Sequence, residues 1–166
     1  DYSKAIKLDP NFTLAYSNRG LAKGALEDNP GAVSDYTKCI NLDPKDAVCY
    51  FNRGLAKNDM QDYPGAISDF SKVIEIDPGF TLAYSNRGLA KAALEDNLGA
   101  VSDYTKSINL DPKDAECYFN RGLAKSALQD YQGSISDYSK AIDLDPKDAV
   151  SYSNRGSAKY ALEDNL

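Results

Sequence analysis

Residues 13–44 read TLAYSNRGLAKGALEDNPGAVSDYTKCINLDP, and this stretch decides the fold. From Tyr16 the apolar or small positions fall at Gly20, Leu21, Ala22, Ala25 and Leu26, close to the 3.6-residue period of a helix. After Pro30 they resume at Ala32, Val33, Tyr36, Ile40 and Leu42 with the same period. The intervening Glu27-Asp28-Asn29-Pro30 stops one helix and starts another. Asn29 is the expected cap, and Pro30 suits a first helical turn. Leu42-Asp43-Pro44 closes the second helix, because proline cannot continue it. Asp46, or Thr13 in the sister unit, is the expected cap of the next first helix. The unit is therefore a pair of antiparallel helices, A then B.

The unit recurs. Pro10, Pro44, Pro78, Pro112 and Pro146 stand 34 residues apart, each closing an Asp-Pro pair. Gly20, Gly54, Gly88, Gly122 and Gly156 keep the same spacing within Asn-Arg-Gly, and Tyr16, Tyr50, Tyr84, Tyr118 and Tyr152 precede them by four. The period divides the chain into a partial repeat at 1–10 (helix B only), full repeats at 11–44, 45–78, 79–112 and 113–146, and a partial repeat at 147–166 (helix A only). Segments 11–44 and 79–112 differ only at Asn11/Gly79, Gly24/Ala92, Pro30/Leu98 and Cys39/Ser107, and 45–78 most resembles 113–146. The most recently duplicated unit is thus a pair of repeats.

A single hairpin buries too little surface to offset its conformational entropy, so neighbouring hairpins must cover its apolar faces. Small residues (Gly20 and Ala22 on helix A, Ala32 on helix B) mark close approaches, and Tyr36, Phe70, Tyr104 and Tyr138 fill between them. The expected class is all-α, a solenoid whose core runs as a strip along one array spanning 1–166.

The order aromatic-x-x-x-Gly, then Ala-x-x-x-aromatic, then Pro resembles the tetratricopeptide repeat family. In 11–44 the matching residues are Tyr16, Gly20, Ala32, Tyr36 and Pro44, and the match recurs in every repeat. The resemblance implies a right-handed superhelix whose concave face is lined mainly by A helices and holds peptides. Two positions depart from the family pattern. Arg19, Arg53, Arg87, Arg121 and Arg155 replace the leucine before the glycine, and Lys23, Lys57, Lys91, Lys125 and Lys159 replace the tyrosine after it. Each complete B helix carries a matching acid, Asp35, Asp69, Asp103 and Asp137, so the arginines are expected to pair with these aspartates.

The resemblance places one asparagine per A helix on the groove: Asn18, Asn52, Asn86, Asn120 and Asn154. A carboxamide offers donor and acceptor together, so a ladder of them suits a peptide backbone whatever its side chains. The alternative is that each asparagine bonds a neighbouring helix and orders the stack. Leu21, Leu55, Leu89 and Leu123 (then Ser157) stand three residues on. Leu14, Val48, Leu82, Glu116 and Val150 stand four before. Phe51 and Phe119 directly precede their asparagines and are candidate hot spots, with packing inside the array as the alternative. Such a lining favours an extended, largely neutral or apolar peptide. A carboxylate clamp for acidic chaperone tails needs Lys and Arg where this chain holds Ser, Phe, Leu, Val or Glu, so that specificity is not expected.

Composition narrows the remaining classes. Hydrophobic residues make up 42% and charged residues 27%, too apolar for a disordered chain. The net charge of −6 is dispersed, with no basic stripe for nucleic acid or an anionic membrane surface. No apolar run reaches the length of a membrane span. The chain has no His and no Gly-rich phosphate loop, and nearly all aspartates recur at fixed repeat positions. An enzyme, a metal site and a cofactor are therefore not expected. Cys39, Cys49 and Cys117 lack metal-type spacing and read as free, partly buried thiols of a reducing, cytoplasmic setting. Asn11-Phe12-Thr13 matches a glycosylation sequon, read here as chance. Asp1-Tyr2-Ser3-Lys4-Ala5-Ile6 matches Asp35–Ile40, so the sequence opens within a B helix and Leu166 follows an A helix. This predicts a slice of a longer array whose uncapped ends associate end to end. Two function classes follow: a peptide-binding scaffold, or a structural, self-assembling spacer. A substrate-recruiting arm of a larger protein is a variant of the first.

Overall fold

The computed structural model describes residues 1–163. The last three residues of the final partial repeat, 164–166, lie outside the described residues. The described chain is all-α, with ten helices and no strand. The B helices are α1 (Tyr2–Leu8), α3 (Asn29–Leu42), α5 (Tyr63–Ile76), α7 (Asn97–Leu110) and α9 (Tyr131–Leu144). The A helices are α2 (Thr13–Gly24), α4 (Ala47–Asp59), α6 (Thr81–Ala93), α8 (Ala115–Ala127) and α10 (Ala149–Glu163). They group into two compact units, Asp1–Ala83 and Tyr84–Leu166. In the first, α2 packs on α3, α3 on α4 and α4 on α5, and the A helices α2 and α4 also touch. In the second, α7, α8, α9 and α10 pack in the same succession, and α8 touches α10.

Two turn chemistries repeat. At the A-to-B turn, Glu27, Gln61, Glu95 and Gln129 adopt left-handed backbone with φ of 61–63°. This turn stops helix A, and the Asp28 N–H donates to the Lys23 carbonyl at 2.9 Å. The cap of helix B is then Asp28, not Asn29: its carboxylate accepts from the Gly31 N–H at 3.0 Å, while Asn29 already lies within the helix. Asp62, Asp96 and Asp130 cap α5, α7 and α9 in the same way. A Cβ at Gly31 would collide with that carboxylate, which explains the glycine. At the B-to-A turn, Asp43 accepts from the Lys45 N–H at 3.0 Å, folding Asp-Pro-Lys into a side-chain-closed turn. Asp46 then caps α4 through the Cys49 N–H at 3.0 Å, as expected. Thr13 does not cap α2. Its hydroxyl donates to the Asn11 carbonyl at 3.4 Å, and Phe12 occupies the cap position with no side-chain bond.

The core is built from alanines on B helices facing small residues on A helices, with one aromatic per hairpin. Ala32, Ala66 and Ala100 are fully buried, as are the Phe70, Tyr104 and Tyr138 rings to within a per cent or so. Each such ring contributes on the order of a few kcal/mol of apolar burial. The ring lies flat against a glycine of its own A helix: a Cβ at Gly54 would sit 2.7 Å from Phe70 Cε1. Only glycine permits that approach.

The cysteine expectation is corrected for two of the three residues. Cys39 on α3 and Cys49 on α4 form a disulfide, with Cα atoms 6.3 Å apart, and Cys117 alone is a free, buried thiol. The cause is topological. Both cysteines point into the buried seam between one repeat's B helix and the next repeat's A helix, so the turn at Asp43–Asp46 brings them face to face. In the second unit the same seam holds Ser107 opposite Cys117, whose Sγ lies 3.3 Å from the Ser107 Oγ.

Candidate functional site

The two departures from the repeat pattern on helix A form one ionic arrangement. In unit 1, Arg19 Nε donates to Asp35 Oδ2 at 2.8 Å and Nη2 to Oδ1 at 2.6 Å. Arg53 does the same to Asp69, at 2.9 and 2.7 Å. In unit 2, Arg87 grips Asp103 and Arg121 grips Asp137 with equivalent geometry. The expected arginine–aspartate pairing is thus present in all four complete hairpins. The lysines, read from sequence only as replacing a family tyrosine, supply a second cation to the same carboxylate. Lys23, Lys57, Lys91 and Lys125 lie 2.8–2.9 Å from Asp35, Asp69, Asp103 and Asp137. Arg and Lys four apart share a helix face, and that spacing was the available signal.

Within each unit, the guanidiniums of Arg19, Arg53, Arg121 and Arg155 also reach back to the preceding B helix. Arg53 Nη1 donates to Thr37 Oγ1 at 3.0 Å, Arg121 to Thr105 at 3.1 Å and Arg155 to Ser139 at 3.1 Å. The guanidinium plane covers the tyrosine three residues earlier, with Arg53 Cζ 5.5 Å from the Tyr50 ring centroid. The aspartates are 4% exposed at the side chain, so each carboxylate is internal structure, while the cations that hold it stay partly exposed. For Asp35, burial pushes the carboxyl pKa up, but hydrogen bonds from Arg19 and Lys23 outweigh it and hold the group below its ordinary value.

The asparagines Asn18, Asn52, Asn86, Asn120 and Asn154 are all half-buried on their A helices. The carboxamides of Asn18, Asn52 and Asn120 bond no protein group among the described residues. Asn154 Nδ2 donates to the Val150 carbonyl of its own helix at 2.9 Å. Leu21, Leu89 and Leu123 are exposed and Leu55 half-buried. Leu14, Val48, Leu82 and Val150, four residues before their asparagines, are exposed.

Phe51 and Phe119 are half-buried and engaged inside their units. The Phe51 ring lies 4.9 Å from Phe80 and 5.7 Å from Phe70, and Phe119 lies 5.9 Å from Tyr138. Packing within the array therefore accounts for much of these two rings.

In unit 1 the structure gathers three of the sequence candidates into one cleft. Leu21 from α2 and Asn52 and Leu55 from α4 wall a space of about 230 Å³, with Ala32 and Tyr36 of α3 also lining it. Gly24, Ala25, Asn29, Ala56 and Asp59 complete the wall, and the sequence reading did not single out Asp59. Among the described residues, no helix is long and apolar enough to cross a membrane.

Comparison with known proteins follows the same geometry. Tetratricopeptide repeat family profiles match residues 14–46, 47–80, 82–114 and 115–148. A crystal structure of MamA protein superposes with a TM-score of 0.88 at 24% identity, covering 91% of this chain and 82% of that one. The structure of YrrB, described as a TPR protein with an unusual peptide-binding site, gives a TM-score of 0.86 at 21% identity, covering 99% and 84%. The first TPR of Spaghetti (RPAP3), bound to the HSP90 peptide SRMEEVD, gives 0.69 at 25% identity, covering 70% and 93%. No curated protein matched in the sequence comparison. The superpositions establish a helical-repeat solenoid.

Proposed function

The chain belongs to the tetratricopeptide repeat family, a family of protein-interaction scaffolds, and from that membership we propose that its A-helix face binds an extended, largely neutral or apolar peptide. The observation that carries this reading is the state of the asparagines. Asn18, Asn52 and Asn120 keep carboxamides without a protein partner, beside exposed Leu21 and Leu123 and half-buried Leu55, on a family surface used for ligands. A stack-ordering role would have committed those amides to neighbouring helices. Backbone recognition by carboxamides, with apolar side chains settling between leucines, is the chemistry available there. Phe51 and Phe119 would then serve as supports beneath the asparagines, their rings already fixed by Phe70, Phe80 and Tyr138.

An acidic peptide of the kind bound by the RPAP3 domain is a poor fit. The helix-A cations of the four complete hairpins are held by aspartates, as with Arg53 and Lys57 on Asp69 at 2.7 and 2.8 Å. The triple variant Asn52→Ala, Asn86→Ala, Asn120→Ala tests the proposal against a purely structural role. Captured peptide or partner should be lost at least tenfold while circular dichroism and the melting temperature hold. A drop in melting temperature with binding retained would instead assign the asparagines to the stack.

A further inference from the structure

We propose that the cleft between α2 and α4 is a specificity subsite that takes one bulky apolar side chain of the peptide, and that Asp59 on its rim selects a lysine or arginine next to it. The inference rests on the peptide-binding reading and names the ligand chemistry of one part of that surface. Three observations converge.

The first is size and lining. The space of about 230 Å³ has Leu21 and Leu55 as walls and Tyr36 among its lining residues. An apolar cavity of about 150 Å³ already accommodates benzene, so a leucine- or phenylalanine-sized side chain fits here. Asn52 sits in the same wall, placing a carboxamide where the backbone of the bound residue would run.

The second is charge. Asp59 is exposed and forms no hydrogen bond or ion pair among the described residues. The lysines of the two flanking A helices do not offset it, because Lys23 and Lys57 are committed to Asp35 and Asp69 at 2.9 and 2.8 Å. A carboxylate beside an apolar cleft, in a chain of net charge −6, offers its best complement to a cationic side chain.

The third is singularity. The positions equivalent to Asp59 hold Ala25, Ala93, Ala127 and Ala161, so the acid occurs once in the array. Gly24, where an added Cβ would meet nothing within 4 Å, leaves the cleft open, and its counterpart in the nearly identical segment is Ala92. Most structural residues in this chain repeat, the Cys39–Cys49 bridge apart. Gly24 and Asp59 do not, and both line this cleft.

The test uses the 166-residue chain and four fluorescein-labelled twelve-residue peptides, identical in a Ser/Gly background except for a central Leu-Lys, Leu-Glu, Leu-Ser or Ser-Lys, read by fluorescence anisotropy. Leu-Lys should bind about fivefold or more tighter than Leu-Glu at low salt, as expected for one rim charge acting on opposite signs. Asp59→Ala should bring those two within about twofold and keep the preference of Leu-Ser over Ser-Lys, while Asp59→Lys should invert the order. Gly24→Leu, which extends a side chain from a position where an added Cβ meets nothing within 4 Å, should abolish the leucine preference. Equal binding of Leu-Lys and Leu-Glu to the wild type would overturn the subsite and leave the broader peptide-binding reading standing. Binding of none of the four would count against both.

Discussion

The Arg53 guanidinium meets the Asp69 carboxylate fork-on, Nε donating to Oδ2 at 2.9 Å and Nη2 to Oδ1 at 2.7 Å. Lys57 adds a third contact at 2.8 Å, and the carboxylate is almost wholly enclosed. The arrangement is asymmetric. Removing either cation leaves the other on the acid, whereas removing the acid strands two cations. Asp69→Ala should therefore cost about 3 kcal/mol, Arg53→Ala about 1–2 and Lys57→Ala under about 1. Urea midpoints give the order. Arg53→Ala as damaging as Asp69→Ala would show that Lys57 does not compensate.

The same arrangement makes stability pH-dependent at Asp35. Burial raises its pKa, hydrogen bonds from Arg19 and Lys23 lower it by more, and the net position is below the ordinary value. A depressed folded pKa contributes stability that is complete above the unfolded value of about 3.9 and is lost as pH falls through the folded one. Wild type and Asp35→Asn should differ in urea midpoint at pH about 7 and converge towards pH about 2. A gap of constant size would place the variant's effect in packing instead of charge.

How far the sequence discloses this molecule depends on whether a feature repeats. The hairpins, the glycine–aromatic contacts and the Arg–Asp pairs recur every 34 residues, so pattern alone finds them. The second cation on Asp35 was missed because Lys23 was compared with a family tyrosine and not with Arg19 on its own helix face. The Cys39–Cys49 bridge was missed because spacing rules for metals and local motifs do not describe a seam between successive repeats. Asp28 displaced Asn29 as cap because Glu27 turns left-handed, a backbone choice that no side-chain preference at 27 announces. Asp59 escaped for the opposite reason. It breaks the period, and a lone departure gains meaning only when a cleft is seen beside it.

The bridge gives a direct chemical prediction. Denatured without reductant, the chain should show one alkylatable thiol, Cys117, and three after reduction. Burial pushes the Cys117 thiol up to about 12, so in the folded protein it should resist alkylation near neutral pH. Reduction should cost about 2–3 kcal/mol, the chain-entropy value for a loop this short. Cys39→Ser should fold with a similar loss, because Ser107 already occupies the equivalent seam opposite Cys117. Three free thiols in the unreduced chain would mean that the seam holds a dithiol under those conditions.

The left-handed turn residues offer a route to a more stable protein. Gln61 has φ of 61°, and the turn it makes is closed by the Asp62 N–H donating to the Lys57 carbonyl at 2.8 Å. That backbone costs a residue with a Cβ about 1 kcal/mol or more relative to glycine, and glycine gives back part of the difference through its freer unfolded chain. Gln61 is exposed. Gln61→Gly should therefore gain about 0.5–1 kcal/mol, or roughly 1–4 °C in melting temperature. Gln61→Val, β-branched and intolerant of positive φ, should lose at least as much. Because Glu27, Glu95 and Gln129 hold the same conformation at separate turns, the four glycine substitutions should add, giving about 2–4 kcal/mol together. A neutral Gln61→Gly paired with a harmful Gln61→Val would mean that the entropy glycine adds to the unfolded chain cancels the strain it relieves. A tolerated Gln61→Val would show that the turn relaxes out of the left-handed region altogether.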